Sequence, residues 1–270
     1  MIGVERLSLS IPISVGELPP GERVERAAAA GYHVLESWWP WPELVPTASD
    51  RATFVDAFVR MGSRLHLLNL SQGPAEAGGR GIAGVPGNDA EFDEHAAAVV
   101  DLAAELGARW INALAGNATS VERPRARGVL SRRLRVLATA GVERGVGVLL
   151  EPLNHTDHSD YLLDPAEVPQ LVRELRADRL DVALLADVYH VASDGKDPVE
   201  YVTVNADVIG HVQLADYPGR GRPGTGAIPF NRLLAALDEI GYPGFLGLEH
   251  RPDGPLRAPA DVWRDLTVAA

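Results

Sequence analysis

What most constrains this chain is an apolar run that stops abruptly on an acid. Val146-Gly147-Val148-Leu149-Leu150 leads straight into Glu151-Pro152-Leu153-Asn154. An unbroken Val/Leu stretch of this length reads as a strand covered on both faces, as in a parallel sheet. A carboxylate at the end of such a strand loses hydration and needs a partner. The same design recurs at residues 180–187, 208–213 and 245–249, closed by Asp187, Gln213 and Glu249. If the sheet closes into a barrel, strands ending in Glu151, Asp187, Gln213 and Glu249 converge on one divalent cation.

The rest of the chain supports closure. Strands are expected at 6–10, 34–36, 65–70 and 110–114, ahead of the four above. Helices are expected at 22–30, 50–61 with Asp50 as N-cap, 89–106, and about 121–144, with Gly31, Gly62 and Gly107 as stop signals. Pro165, Pro198, Pro229 and Pro259 mark later helix starts, because proline fits the first helical turn. Residues 12–21 read as a loop. Residues 71–88 read as a long glycine-rich loop of the kind that lids or binds. Eight β-then-α units in 270 residues point to the α/β class, as one (β/α)8 TIM-barrel domain spanning 1–270. A dinucleotide-binding sheet is excluded, since Gly219-Arg220-Gly221 comes late and opens no helix.

Composition removes other classes. A net charge of −12 argues against nucleic acid or an anionic membrane surface as partner. The absence of cysteine excludes disulfides, thiolate metal sites and a thiol nucleophile. Lys196 is the only lysine, which leaves Schiff-base and P-loop chemistry almost no candidates. No basic-then-apolar leader opens the chain, and no apolar run approaches the ~20 residues that span a bilayer. A soluble, cytoplasmic protein acting on a small molecule is expected.

In (β/α)8 barrels the chemistry sits at the carboxyl ends of the strands. Three carboxylates and an amide oxygen form a hard oxygen site suited to Mg²⁺ or Mn²⁺. Any one of these acids could instead cap a helix or pair with an arginine; their recurrence in successive strands points to the metal. Glu151 and Glu249, three units apart, are expected to face each other across the barrel mouth, an arrangement suited to proton transfer beside a carbonyl. His190, expected at the start of a loop, could donate to a substrate oxygen or stand in solvent. Arg220, on the Pro/Gly-rich stretch 217–226, is a candidate carboxylate clamp, with Arg222 undecided. His155, Asp157 and His158 read as a solvated loop more readily than as a second metal site. His33, His66 and His95 read as structural. Trp38, Trp39 and Trp41 could roof a pocket or join subunits of a homo-oligomer, and both readings stay open.

Glu151-Pro152-Leu153-Asn154, Asp187-Val188-Tyr189-His190, the stretch from Gly210 to Asp216, Pro218-Gly219-Arg220 with Pro223-Gly224-Thr225-Gly226, the stretch from Leu248 to Pro252, and Gly79-Arg80-Gly81-Ile82-Ala83 with Pro86-Gly87 together resemble the hydroxypyruvate isomerase family. That family belongs to the xylose-isomerase-like barrels, alongside ketose 3-epimerases and endonuclease IV. The resemblance implies that Glu151, Asp187, Gln213 and Glu249 hold a divalent metal and that Glu151 and Glu249 double as the acid/base pair. It implies substrate binding at His190 and Arg220, with Asp157 grouped with them. Where the family usually shows an arginine, Pro-Gly, a glutamine and a glutamate, this chain has Thr156, Ser159-Asp160, Ala192 and Ala227, so its departures fall around the substrate.

The expected activity is a metal-dependent aldose–ketose isomerisation of a small hydroxy-oxo acid through an enediolate, hydroxypyruvate giving tartronate semialdehyde. A ketose 3-epimerase or a 2-oxo-tetronate isomerase would use the same two acids. An endonuclease IV-like enzyme would need a basic groove for phosphates and a histidine-rich multi-metal site. A non-catalytic sugar-binding barrel is the remaining alternative.

Overall fold

The computed structural model describes residues 2–74, 79–87, 89–119 and 121–268. Its strands are β1 (Leu7–Ser10), β2 (Val34–Ser37), β3 (Arg64–Asn69), β4 (Trp110–Asn112), β5 (Gly147–Leu150), β6 (Val182–Asp187), β7 (Ile209–Leu214) and β8 (Leu246–Leu248). They pair in sequence order, and the sheet closes when β8 returns to β1 in parallel, with Leu7 opposite Leu246 and Leu9 opposite Leu248. The expected closed barrel is present. Among the described residues, no helix is long and apolar enough to cross a membrane.

The period of two along each strand positions the site. Val148 and Leu150, or Leu184 and Ala186, point outward and join the large core beneath the helices. Leu67, Trp110, Leu149, Ala183 and Leu185 form a separate cluster inside the barrel. The alternation that turns Leu149 inward also turns Glu151 inward, and the one that turns Leu185 inward does the same for Asp187. Asp187 and Gln213 are register partners on neighbouring strands.

The helices are α1 (Ile11–Ser14), α2 (Pro20–Ala29), α3 (Ala48–Met61), α4 (Asp89–Glu105), α5 (Arg123–Val142), α6 (Val168–Ala177), α7 (Val188–Ser193), α8 (Pro198–Val204), α9 (Phe230–Glu239) and α10 (Pro259–Val268). Three local expectations need correction. The chain turns helical directly after β1, because Pro12 falls in the first turn of α1, where its fixed φ helps and its missing N–H costs nothing. The cap of α3 is Thr47 and not Asp50. Thr47 Oγ1 accepts the Asp50 N–H at 3.1 Å and donates to Asp50 Oδ2 at 2.6 Å. The segment after β6 is the helix α7 and not a loop, since Asp187 Oδ1 accepts the Tyr189 N–H at 2.9 Å as its N-cap. Of the long loop at 71–88, residues 75–78 and 88 lie outside the described residues.

Candidate active site

A cavity of about 590 Å³ opens at the carboxyl end of the barrel, with Glu151, Glu249, His190, Arg220 and Trp38 among its walls. Glu151 and Glu249 are the first residues past β5 and β8, and both are buried. Glu151 Oε2 accepts Asn112 Nδ2 at 2.7 Å from the end of β4. Glu249 Oε1 accepts Ser10 Oγ at 3.1 Å and Trp38 Nε1 at 3.2 Å. Burial pushes the Glu151 carboxyl up to about 8, reinforced by the negative charges of Glu249 and Asp187. Burial raises Asp187 and Glu249 as well, although Arg220 pulls against it.

Arg220 lies within this cluster. Its Nη2 is 2.7 Å from both Asp187 Oδ2 and Glu249 Oε2, and its Nε donates to the Glu249 carbonyl at 3.2 Å. The residue has φ 57°, a left-handed backbone that non-glycine residues adopt at a cost of about 1–2 kcal/mol. Its loop is stitched in place: the Arg220 carbonyl accepts the Arg251 N–H at 2.8 Å. Buried Asp216 gathers the loop from within, accepting the backbone N–H groups of Tyr217, Gly224, Gly226 and Ile228. Arg222, two residues on, turns away to Asp253 and Asp265.

His190 is buried on the first turn of α7, with Nε2 3.6 Å from Asp187 Oδ2 and 3.9 Å from Glu151 Oε1. Asn154 donates to Nδ1 from its backbone at 3.2 Å and from its amide at 2.6 Å. The amide orientation follows from Asn154 Oδ1, which accepts the Asp157 N–H at 2.7 Å. Nδ1 therefore faces donors, and on the other side of the ring Nε2 lies 3.0 Å from Arg220 Nη1, which is also a donor. Burial, with Arg220 beside it, holds the pKa of His190 well below its ordinary value, so the ring is neutral. Asp157 is exposed at the cavity rim.

Glu151, Asp187 and His190 offer ligand atoms within 4.8 Å of one another, a grouping that could hold a metal ion. The donor chemistry fits a hard cation at the four strand ends. Three buried carboxylates share one arginine, which leaves negative charge uncompensated in a low-dielectric interior. Gln213 Oε1 is buried with no hydrogen-bond partner among the described residues, while its Nε2 is bound to Glu36. An orphaned buried oxygen on the strand next to Asp187 is compatible with a ligand position.

Several partners escaped the sequence reading, namely Glu36, Ser10, Asn112 and Asp216. Only Asp216 carried a local signal, an acid between a strand and a glycine-rich loop. Of the three tryptophans, Trp38 walls the cavity, whereas Trp39 is buried and packs edge-on against Trp41 and His95.

This fold and site define a xylose isomerase-like TIM barrel, and the model of that family matches residues 24–266. The putative hydroxypyruvate isomerase of Streptomyces coelicolor is 35% identical over 265 residues, covering 96% of this chain and 95% of that one. The hydroxypyruvate isomerase of Escherichia coli is 30% identical, covering 92% and 93%. The 2-oxo-tetronate isomerase of Cupriavidus necator is also 30% identical, covering 86% of each chain. Among solved structures, that of an AP endonuclease, family 2, from Brucella melitensis superposes with a TM-score of 0.84 at 25% identity, covering 98% of this chain and 99% of that one. The chain belongs to the hydroxypyruvate isomerase family, and it is an isomerase.

Proposed function

We propose that the protein is a divalent-metal-dependent aldose–ketose isomerase that converts hydroxypyruvate to tartronate semialdehyde in the cytoplasm, with residues 1–270 acting as one domain. The observation that carries this reading is the set of buried oxygens at four strand ends, Glu151, Asp187, Gln213 and Glu249, with Gln213 Oε1 left unpartnered among the described residues. Mg²⁺ or Mn²⁺ held there would polarise the substrate carbonyl and stabilise the negative charge that develops as the neighbouring C–H ionises.

The chain's own residues account for the proton movements. One glutamate takes the proton from the hydroxyl-bearing carbon, giving an enediolate, and a proton returns to the neighbouring carbon from the same or the other glutamate. Asn112 holds Glu151 through Oε2, while Ser10 and Trp38 hold Glu249 through Oε1 and Arg220 holds it through Oε2, so both carboxylates are fixed at the barrel mouth. His190, on the cavity wall, hydrogen-bonds a substrate oxygen. Arg220, its guanidinium held by Glu249, Asp187 and His190, flanks the substrate at the reacting carbons, and Asp157 contacts it from the rim. Trp38 covers the reacting centre and excludes water.

A four-carbon 2-oxo acid is the second reading, favoured by the similarity to the Cupriavidus necator 2-oxo-tetronate isomerase. The test is a panel of small 2-oxo acids and neutral ketoses, assayed for product and solvent-deuterium uptake after EDTA treatment and after added Mn²⁺. Turnover of a 2-oxo acid, lost with EDTA and regained with Mn²⁺, is expected. Full activity in metal-free protein would sink the metal, and epimerised ketose without aldose product would indicate a 3-epimerase.

A further inference from the structure

We infer that Arg80 binds the carboxylate of the substrate and thereby sets the preference for 2-oxo acids over neutral ketoses. The inference rests on the isomerase reading and adds which group recognises the acid. Arg80, Arg220 and Arg251 all line the cavity, together with Glu151, Asp157 and Glu249. An anion entering beside buried carboxylates needs a cation that is not already committed. Arg220 is committed, with Nε, Nη1 and Nη2 all directed at Glu249, His190 and Asp187. Arg251 is exposed, where water screens its charge.

Arg80 differs from both. It is half-buried, and its Nε donates to His158 Nδ1 at 3.2 Å. Among the described residues, its Nη1 and Nη2 have no acceptor, which leaves the two-pronged edge of the guanidinium for a bidentate carboxylate. The His158 ring centroid is in turn 5.8 Å from that of His190, which faces Asp187 and Glu151. A file of contacts thus joins Arg80 to the proposed acid/base centre along the cavity wall.

The backbone holds Arg80 in place. Its carbonyl accepts the Gly116 N–H at 2.9 Å, and the Gly81 N–H donates to the Gln72 carbonyl at 2.8 Å. Gly81 pairs antiparallel with Ala115 at φ 105°, and a Cβ there would collide with the Leu114 carbonyl. Only glycine lets the arginine's loop lie this close to the chain beyond β4. A cation fixed in this way loses little freedom on binding, which favours affinity.

The test compares hydroxypyruvate with dihydroxyacetone, which replaces the carboxylate by a hydroxymethyl group, using Mn²⁺-loaded wild-type protein and the Arg80→Gln, Arg80→Lys and Arg251→Gln variants. A hydrogen-bonded charge pair is worth about 1.5–3 kcal/mol, or about ten- to hundred-fold. Arg80→Gln is expected to raise KM for hydroxypyruvate by about that factor with kcat little changed, and to leave dihydroxyacetone unaffected. Arg80→Lys should recover part of the loss, and Arg251→Gln should cause none. Calorimetric binding of D-glycerate, weaker by the same factor in Arg80→Gln, judges the inference even if no substrate is turned over, in which case only the isomerase reading fails. Equal losses for both substrates, unaltered glycerate binding in Arg80→Gln, or a carboxylate-specific loss in Arg251→Gln would each overturn it.

Discussion

Gln213 donates its amide Nε2 to Glu36 Oε2 at 3.0 Å inside the barrel. An ionised carboxylate only accepts, so this bond decides which way the amide faces and directs Oε1 away from Glu36. Burial alone would raise the Glu36 carboxyl, but the His211 imidazole and the Ser8 hydroxyl bring it down to about 2. Glu36 therefore stays charged at any working pH. Its room is made by Gly247, where a Cβ would run into the Glu36 carboxylate.

Glu36 is accordingly expected to set metal affinity without touching the metal. Glu36→Gln should weaken Mn²⁺ binding by about 10–100-fold, the range for partners that orient a metal ligand. Calorimetric titration, with circular dichroism as a check on folding, measures this. Unchanged affinity in a folded variant would mean that Gln213 is not a ligand or needs no orienting.

Arg220 balances Asp187 and Glu249, two of the residues proposed to hold the cation. Breaking a buried ion pair by removing one partner costs about 3–5 kcal/mol, because the other charge stays buried. Arg220→Ala should therefore lower the Tm of metal-free protein, and added Mn²⁺ should raise Tm more in the variant than in wild type, since no guanidinium competes. Scanning calorimetry with EDTA and with Mn²⁺ checks both. Equal Mn²⁺ shifts would separate Arg220 from the cation site.

Glu151→Gln and Glu249→Gln keep the shape of each side chain and remove its basicity. Each should lower kcat by about 10²–10⁴-fold, as for a lost general acid or base. The double variant should be little worse than the poorer single one, because the two act as a unit. The variant lacking the abstracting base should also fail to exchange substrate deuterium with solvent. Near-wild-type turnover in either single variant with metal bound would reduce that glutamate to a ligand.

His95, away from the cavity, supplies a pH dependence. Its Nε2 accepts the Ser71 N–H at 3.0 Å and its Nδ1 lies 2.7 Å from the Leu44 carbonyl, a pairing that only the neutral ring satisfies. Burial lowers its pKa from 6.5 in the folded state. The unfolded chain then binds more protons between the folded value and 6.5, so stability is intact above pH 6.5 and declines as pH falls below it. Urea unfolding at pH 7.5, 6.5 and 5.5 should show this decline, and His95→Gln should flatten part of it. An unchanged slope in His95→Gln would place the titration elsewhere.

The barrel and the four strand ends were legible because they follow from local rules. A buried parallel strand needs consecutive apolar residues, proline opens a helix, and glycine closes one. Each of these acts over a few neighbours, so the order of elements and the inward side of β5 and β6 follow from the run itself. The motifs around Glu151, Asp187, Gln213 and Glu249 carry the family resemblance for the same reason. The cap of α3 and the helix after Asp187 were misjudged by a few residues, where two candidate caps or a strand end and a helix start compete within one turn.

The chain's sequence by itself determined the class of fold, the oxygen-rich strand ends and the family. What only the tertiary structure decided is which groups hold those oxygens. Ser10 reaches Glu249 across 239 positions, and Glu36 reaches Gln213 across 177. Such pairs exist only once β8 has closed on β1, and no local pattern encodes them. The same closure separates two arginines that look alike on one loop. Arg220, turned by a positive φ, enters the acids, while Arg222 meets Asp253 and Asp265. Side-chain type is written in the sequence; its partner depends on the three-dimensional path of the chain, because a buried charge takes whichever counter-charge the packed barrel brings within a few ångströms.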